Sequence, residues 1–470
     1  VARPRTPLRR GLLLAGALAL GAGLAAGGAW LATALAVGTG YAAKVVCSLA
    51  HVSGQDPERV VRDYVGYEVA PLGPFLRVEV GEGGAEASAL GLARARAVYR
   101  PGLGCTLVAE PGGPELAPAS GIDAPRPELP PALPWPRGGA GPAVPAPPAV
   151  EAAMDRAFAE PDGTPGRLRQ VTAVVVAHRG RLVAERYAPG YGPATPMLSW
   201  SMAKSVLAAL LGIAVGEGRL ELHAAAPVPE WRAPGDPRAA ITLDQLLRMS
   251  SGLAFDERYG ATNDVSRMLF TQPDAGAFAA RSPPAAAPDA LWSYSSGTSN
   301  LLARVLRDLF GGDLGALVRY SRERLFDAAG MTSAFFEPDA SGSFIGSSFA
   351  FASARDWARF GELHRREGVW EGRRILPPGW VRYVTTPTPG APQRSYGAHW
   401  WLDAGDPADA SRAAWPAMPR DAYAARGHSG QWVVVVPSAE LVVVRLGLGQ
   451  RDDEEDGTEQ LVADLVRALR

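Results

Sequence analysis

An uncharged stretch, residues 11–41, stands near the start of the chain and follows Arg3, Arg5, Arg9 and Arg10. As a helix it would extend about 46 Å at roughly 1.5 Å per residue, more than a hydrocarbon core of about 30 Å. Ala and Gly dominate it, so the part expected to insert is about 12–37. Four arginines lie on one side and a lone Lys44 on the other. That asymmetry puts the N-terminus in the cytoplasm and the rest of the chain outside. A second reading is a signal peptide cut at Ala32-Thr33-Ala34 or Ala34-Leu35-Ala36, which would release a secreted protein. The length favours the anchor. We therefore expect a single-pass protein of a bacterial cell membrane, with its bulk periplasmic. A buried helix of a soluble domain fits least.

At 470 residues the chain should hold two or three folding units. Hydrophobic residues make up 47% and charged residues 20%, which excludes wholesale disorder. The net charge of −1 gives nucleic acid nothing to bind. The sequence has no His-Glu-x-x-His, His-x-x-x-His or Cys-x-x-Cys grouping, so no metal or other cofactor is expected. Cys47 and Cys105 are the only cysteines, and both lie beyond the export segment. In an oxidising space they should pair, at a gain of about 4 kcal/mol in the chain-entropy model. Residues 110–150, rich in Pro, Gly and Ala, read as an extended linker. The expected division is 1–45 stub and anchor, 46–109 small disulfide-bearing module, 110–150 linker and 151–470 large domain.

Within the large domain, residues 170–177 and 181–187 read as strands around the turn His178-Arg179-Gly180. Residues 432–436 and 441–446 form a second hairpin. Helical periodicity fills 202–216, 243–249, 299–310, 314–328, 354–366 and 378–384, and returns at 458–469. Strands at both ends with helices between them predict an α+β fold whose N- and C-terminal segments share one antiparallel sheet, flanked by helices and carrying a helical insert.

Lys and Arg together number 47, yet only Lys44 and Lys204 are lysines. A GC-rich coding bias explains the arginines. A lysine retained against it can do what arginine cannot, namely lose its proton near neutral pH. Lys204 closes Ser201-Met202-Ala203-Lys204 at the start of an apolar helix. Three residues make one turn, so both side chains share a face. The helix N-terminus offers free N–H groups to a developing oxyanion beside a serine that can attack. Apolar surroundings would push the lysine pKa down, the direction a general base needs.

Two further segments carry polar groups ahead of regular elements: Trp292-Ser293-Tyr294-Ser295-Ser296-Gly297 and Arg426-Gly427-His428-Ser429-Gly430-Gln431. The latter is not an α/β-hydrolase elbow, because position 431 is Gln rather than Gly. In order, the three segments resemble the Ser-x-x-Lys, Tyr-x-Asn/Ser and Lys/His-x-Gly motifs of the serine β-lactamase and penicillin-binding protein superfamily. The resemblance covers about 170–450 and is strongest to the class C-like branch of esterases, D-amino acid peptidases and 6-aminohexanoate-dimer hydrolases. Ile241-Thr242-Leu243-Asp244-Gln245-Leu246-Leu247, Ser250-Ser251-Gly252-Leu253 and Gly330-Met331 look like that branch too.

The resemblance implies a β-lactamase/transpeptidase-like fold with Ser201 as nucleophile, Lys204 as base and Tyr294 as proton shuttle. It puts Ser296 where many relatives have Asn, and His428 where penicillin-binding members have Lys. Gly430 would let substrate approach, and Gln431 would give the second oxyanion N–H. Tyr259, in the loop after Ser-Gly-Leu, matches a tyrosine that closes over substrate in the 6-aminohexanoate-dimer hydrolase branch. Without the Asn and Lys, a small amide or ester fits better than a penicillin. The alternatives are a D-amino acid peptidase or penicillin-interacting enzyme, and a non-catalytic binding or envelope-interaction protein of the same fold.

Overall fold

In a computed structural model, the described residues are 7–70, 72–108, 116–122, 126–160, 168–405, 409, 413–450 and 456–470. Helix α1 (Pro7–His51) leads into a four-stranded antiparallel meander of β1 (Leu76–Gly81), β2 (Gly84–Ala89), β3 (Ala93–Arg100) and β4 (Gly104–Val108). The second half of α1 packs across this meander, and Cys47 in α1 is bridged to Cys105 in β4, with Cα atoms 6.1 Å apart.

The main sheet has six strands. It contains β5 (Val171–His178), β6 (Arg181–Tyr187), β7 (Trp401–Leu402), β8 (Tyr423–Gly427), β9 (Gln431–Val436) and β10 (Leu441–Gly447), in the order β7-β8-β9-β10-β5-β6. The two terminal hairpins thus share one antiparallel sheet, joined where β10 pairs with β5, Leu441 opposite His178 and Val444 opposite Val175. Surrounding helices are α2 (Pro148–Phe158), α3 (Met202–Gly216), α4 (Asp264–Thr271), α5 (Ser296–Asp308), α6 (Ala354–Arg365) and α7 (Thr458–Ala468).

Strands such as Val171–His178 and Gln431–Val436 are apolar almost throughout, because both faces of the sheet are covered. Val174, Val176, Val434 and Val443 pack against α2 and α7 on one face. Val175, Val433, Val442 and Val444 face the larger core with α3 and α6 on the other. Gly361 lets α6 sit down on the sheet, since a Cβ there would lie 2.6 Å from Val442 and 2.9 Å from Val433. The class is α+β, as the strand and helix order predicts.

Two expectations about the N-terminal third change. The first concerns the boundary near residue 45. Residues 23–32 of α1 are exposed, but burial begins at Ala34 and continues past residue 45 without a break in the helix. Gly38 and Gly40 permit this docking; a Cβ at Gly40 would fall 2.0 Å from the Phe270 carbonyl of α4. Lys44 is therefore not a flanking charge. It is fully buried, with its ammonium 2.5 Å from Glu337 Oε2 and lying 4.4 Å over the Phe349 ring. Ser48 Oγ donates to the same carboxylate, as does the Cys105 N–H at 2.6 Å.

The second concerns the linker. The described parts of 110–150 run against the large domain as a strap. Trp135 is buried and donates to Arg355 O, and Arg359 donates to Pro136 O and Gly138 O at 3.0 and 2.8 Å. Arg126 reaches Asp327 Oδ1 at 2.7 Å. Proline-rich composition reports an extended backbone; it does not report whether that backbone is free.

Removing one partner of a buried ion pair leaves the other charge unsolvated. Lys44→Met should lower stability by about 3–5 kcal/mol, whereas Lys44→Met combined with Glu337→Leu should recover most of it. Denaturant unfolding of the three proteins checks this, and equal loss in the single and double variants would refute the pairing argument.

Candidate active site

Ser201 caps the N-terminus of α3, immediately after Trp200, which adopts φ of +44°. A bulky residue holds such a conformation only where its surroundings over-determine it. Here the indole donates from Nε1 to the Tyr64 hydroxyl at 2.7 Å and packs against Tyr41 and Phe349 at centroid distances of 6.3 and 5.6 Å. The pinned elbow sets Ser201 at the start of the helix.

One turn on, Lys204 is buried under the elbow. Its ammonium donates to Ser201 Oγ at 3.0 Å, Ser296 Oγ at 3.1 Å and the Ser347 carbonyl at 3.0 Å. Asn300 of α5 holds the Ser347 segment through its side-chain amide, 3.0 Å from Ser347 Oγ. The same ammonium lies 4.8 Å from the centre of the Tyr294 ring, which is seated between Tyr396 and Trp401 at 5.7 and 5.4 Å. The structure thus brings Ser201, Lys204, Tyr294 and Ser296 into one neighbourhood from two separate stretches of chain.

Burial pushes the Lys204 pKa down to about 8, and the Glu257 carboxylate pulls it back up. Glu257 was not singled out in the sequence. It accepts from Ser296 Oγ at 2.5 Å and from Ser296 N–H at 2.6 Å. Lys204, Ser296 and Glu257 form one continuous hydrogen-bonded row. Burial raises the Glu257 pKa, opposed by Lys204 and Ser296. In the sequence Glu257 stands between Asp256 and Arg258, which pair with each other at 2.8 Å, so the run looked like a solvated loop.

The third motif is placed differently from its assigned register. Gly430 abuts Arg445, where a Cβ would lie 1.6 Å from Nη1, rather than Ser201. The Gln431 side chain is turned inward, donating to His428 O and Ser429 O at 3.2 Å and accepting from Gly447 N–H at 3.2 Å. The residue that meets the elbow is Gly427, at the end of β8, where a Cβ would lie 2.2 Å from Ser199 O and 3.0 Å from Ser201 N. Of the two glycines around His428, only Gly427 permits close approach to Ser201.

His428 lies on the rim, its ring edge-on to Trp200 at 5.4 Å and stacked on Tyr259 at 5.8 Å. Tyr259 is 46% exposed. His428 Nε2 is 2.8 Å from Glu68 Oε1, a contact supplied by the N-terminal module. No group of three or more His, Cys, Asp or Glu residues that could hold a metal occurs among the described residues.

An antiparallel sheet flanked by helices, with a serine–lysine turn at the head of a buried helix, defines the architecture of the β-lactamase-fold hydrolases. Residues 152–467 match the Beta-lactamase family, and the chain belongs to it. Members of that family are serine hydrolases that include esterases and amidases. No curated protein matches the chain. Among solved structures it is similar to a Bacillus anthracis protein provisionally described as a 6-aminohexanoate-dimer hydrolase, at 24% identity and TM-score 0.53, over 64% of this chain and 79% of that one. It is similar to EstCE1, a hydrolase with promiscuous acyltransferase activity, at 16% identity and TM-score 0.52, over 68% and 97%. A penicillin-binding protein homologue from Caulobacter crescentus gives 19% identity and TM-score 0.51, over 69% and 99%. At these identities the likeness concerns the fold.

A lysine that must be neutral to accept a proton works only above its pKa. Reaction of Ser201 with a fluorophosphonate should therefore rise with pH through about 8. Glu257→Gln removes the carboxylate that favours the charged lysine, so the midpoint should move to lower pH. Labelling rates measured across pH 5–10 check both; a midpoint that stays put in Glu257→Gln would sink the electrostatic assignment.

Proposed function

We propose that this protein is a membrane-anchored, extracytoplasmic serine hydrolase that cleaves a small amide or ester through an acyl-enzyme. The observation that carries the reading is the buried Lys204 ammonium 3.0 Å from Ser201 Oγ, with its pKa lowered by burial. Neutral Lys204 takes the proton as Ser201 Oγ attacks the carbonyl carbon. The oxyanion is received by the Ser201 N–H at the helix start and by the N–H that follows Gly427. Tyr294, beside Lys204, passes a proton to the departing amine or alcohol. Water then attacks the ester of Ser201, and the same groups run in reverse to release the acid. The structural neighbours described as a 6-aminohexanoate-dimer hydrolase and a family VIII carboxylesterase support an amide or ester as substrate class.

A D-amino acid peptidase or penicillin-interacting role is less well supported, because His428 at the rim is already engaged by a carboxylate. A purely structural protein would have no use for a desolvated lysine aimed at a serine. For the membrane, support comes from α1: residues 23–32 are apolar and exposed. Residues 7–33 as a helix reach about 40 Å, enough to cross a hydrocarbon core.

Ser201→Ala should abolish fluorophosphonate labelling while leaving the fold intact. Lys204→Arg should lower turnover of a p-nitrophenyl ester by roughly 10²- to 10⁴-fold despite keeping the charge. Wild-type turnover in Lys204→Arg would show the mechanism to be wrong. The full-length protein should stay with membranes after carbonate extraction. Mature protein starting near Val37 would show a cleaved signal instead.

A further inference from the structure

Residues 57–70 lie outside the stretch that matches the family, yet they reach the rim of the site. Tyr64 accepts from Trp200 Nε1 at 2.7 Å and hydrogen-bonds with Ser429 Oγ at 3.1 Å. Tyr67 donates from its hydroxyl to Gln450 O at 2.7 Å, and Gln450 Nε2 donates to Asp63 O at 3.0 Å. Clamped at both ends, this segment sets Glu68 against His428, with the two side chains 17% and 37% exposed. Glu68 is joined through His428 to Tyr259, whose ring stacks on that imidazole at 5.8 Å, and Glu257 precedes Tyr259 by two residues in the same loop.

The cations nearby do not offset this. Arg445 is turned inward, donating to Gly430 O and Arg169 O at 2.6 and 3.1 Å. Arg426 lies against the rings of Trp401 and Trp432 at 5.7 and 4.6 Å. Arg258 is paired with Asp256, and Lys204 is buried beneath the nucleophile. Among the described residues, the charged groups placed at this entrance are the Glu68 and Glu257 carboxylates and the His428 imidazole, which Glu68 engages.

We propose that Glu68 is a specificity-determining residue, supplied by the N-terminal module, that makes the cleft favour cationic and neutral esters or amides over carboxylate-bearing ones. A substrate carboxylate entering beside His428 meets Glu68 as a like charge, and the described cations nearby, Arg445, Arg426, Arg258 and Lys204, are turned to other partners. A substrate ammonium meets an acceptor whose other face holds the imidazole. Discrimination of this kind acts by rejecting the wrong partner as much as by attracting the right one. The inference rests on the hydrolase reading above.

The test uses the full-length protein and three p-nitrophenyl esters of similar acyl length, with a terminal trimethylammonium, methyl or carboxylate. In the wild type kcat/KM should fall in that order, with the first and last separated by about tenfold or more, as like-charge approach in a cleft predicts. Glu68→Gln should shrink the cation-to-anion ratio while leaving the methyl ester and fluorophosphonate labelling nearly unchanged, and Glu68→Asp should keep the discrimination. Should Glu68→Gln not fold, the wild-type ratio must still shrink as salt is raised; a ratio indifferent to salt overturns the proposal. Labelling intact with the same ratio in wild type and Glu68→Gln overturns the role of Glu68 alone. Absence of labelling in the wild type overturns the hydrolase reading and this inference with it.

Discussion

A lysine ammonium held out of water beside a serine hydroxyl is the constraint around which the large domain of this molecule is arranged. Lys204 makes three contacts, to two hydroxyls and one carbonyl, none of them a carboxylate. That choice of partners keeps it hydrogen-bonded yet lets desolvation lower its proton affinity. The three partners belong to the α3 elbow, the start of α5 and the segment before Phe349, so each element must be placed before the lysine is held in this setting. The sheet supplies the rigid floor on which α3 rests, and Gly427 lets the end of β8 come up against the elbow.

Lys44 shows the opposite use of the same side chain. It too is fully buried, but a carboxylate oxygen lies 2.5 Å away and a serine and a backbone N–H complete that carboxylate's shell. Fully compensated, this pair fixes α1 and β4 to the large domain. Glu257, in contrast, stands off from Lys204 by one hydroxyl, that of Ser296. A carboxylate in direct contact favours the charged lysine more strongly than one at a single remove. The distance between lysine and carboxylate separates a structural role from a chemical one.

Much of the large domain was legible because three of the four hairpin strands are apolar almost throughout and turn signals bracket them. Ser201 and Lys204 stood out because the spacing of one helical turn is local information, and because lysine is so scarce in this chain. The register of the third motif was not legible. Gly427 and Gly430 flank the same histidine, and only the position of β8 against the Ser199 carbonyl decides which of them faces Ser201. Glu257 and Glu68 were hidden for a related reason. A carboxylate in a charged or polar run reads as solvated until its partner, 39 or 360 residues away, is known. Lys44 misled in the other direction, since a cation just after an apolar stretch has the pattern of a membrane flank.

The N-terminal third cannot be regarded as a tether for an otherwise complete enzyme-like domain. Trp200 carries the backbone conformation that presents Ser201, and two of the groups that pin its indole, Tyr41 and Tyr64, come from outside the family's stretch. Tyr41 is set by the docking of α1, which depends in turn on Gly38, Gly40 and the Lys44–Glu337 pair. Tyr64 is set by a segment whose neighbours are clamped to Gln450. A domain cut at residue 152 would keep Ser201, Lys204, Ser296 and Tyr294 and lose two of the groups, Tyr41 and Tyr64, that hold the elbow in its unusual conformation. The placement of Ser201 is thus secured by residues more than a hundred positions before it.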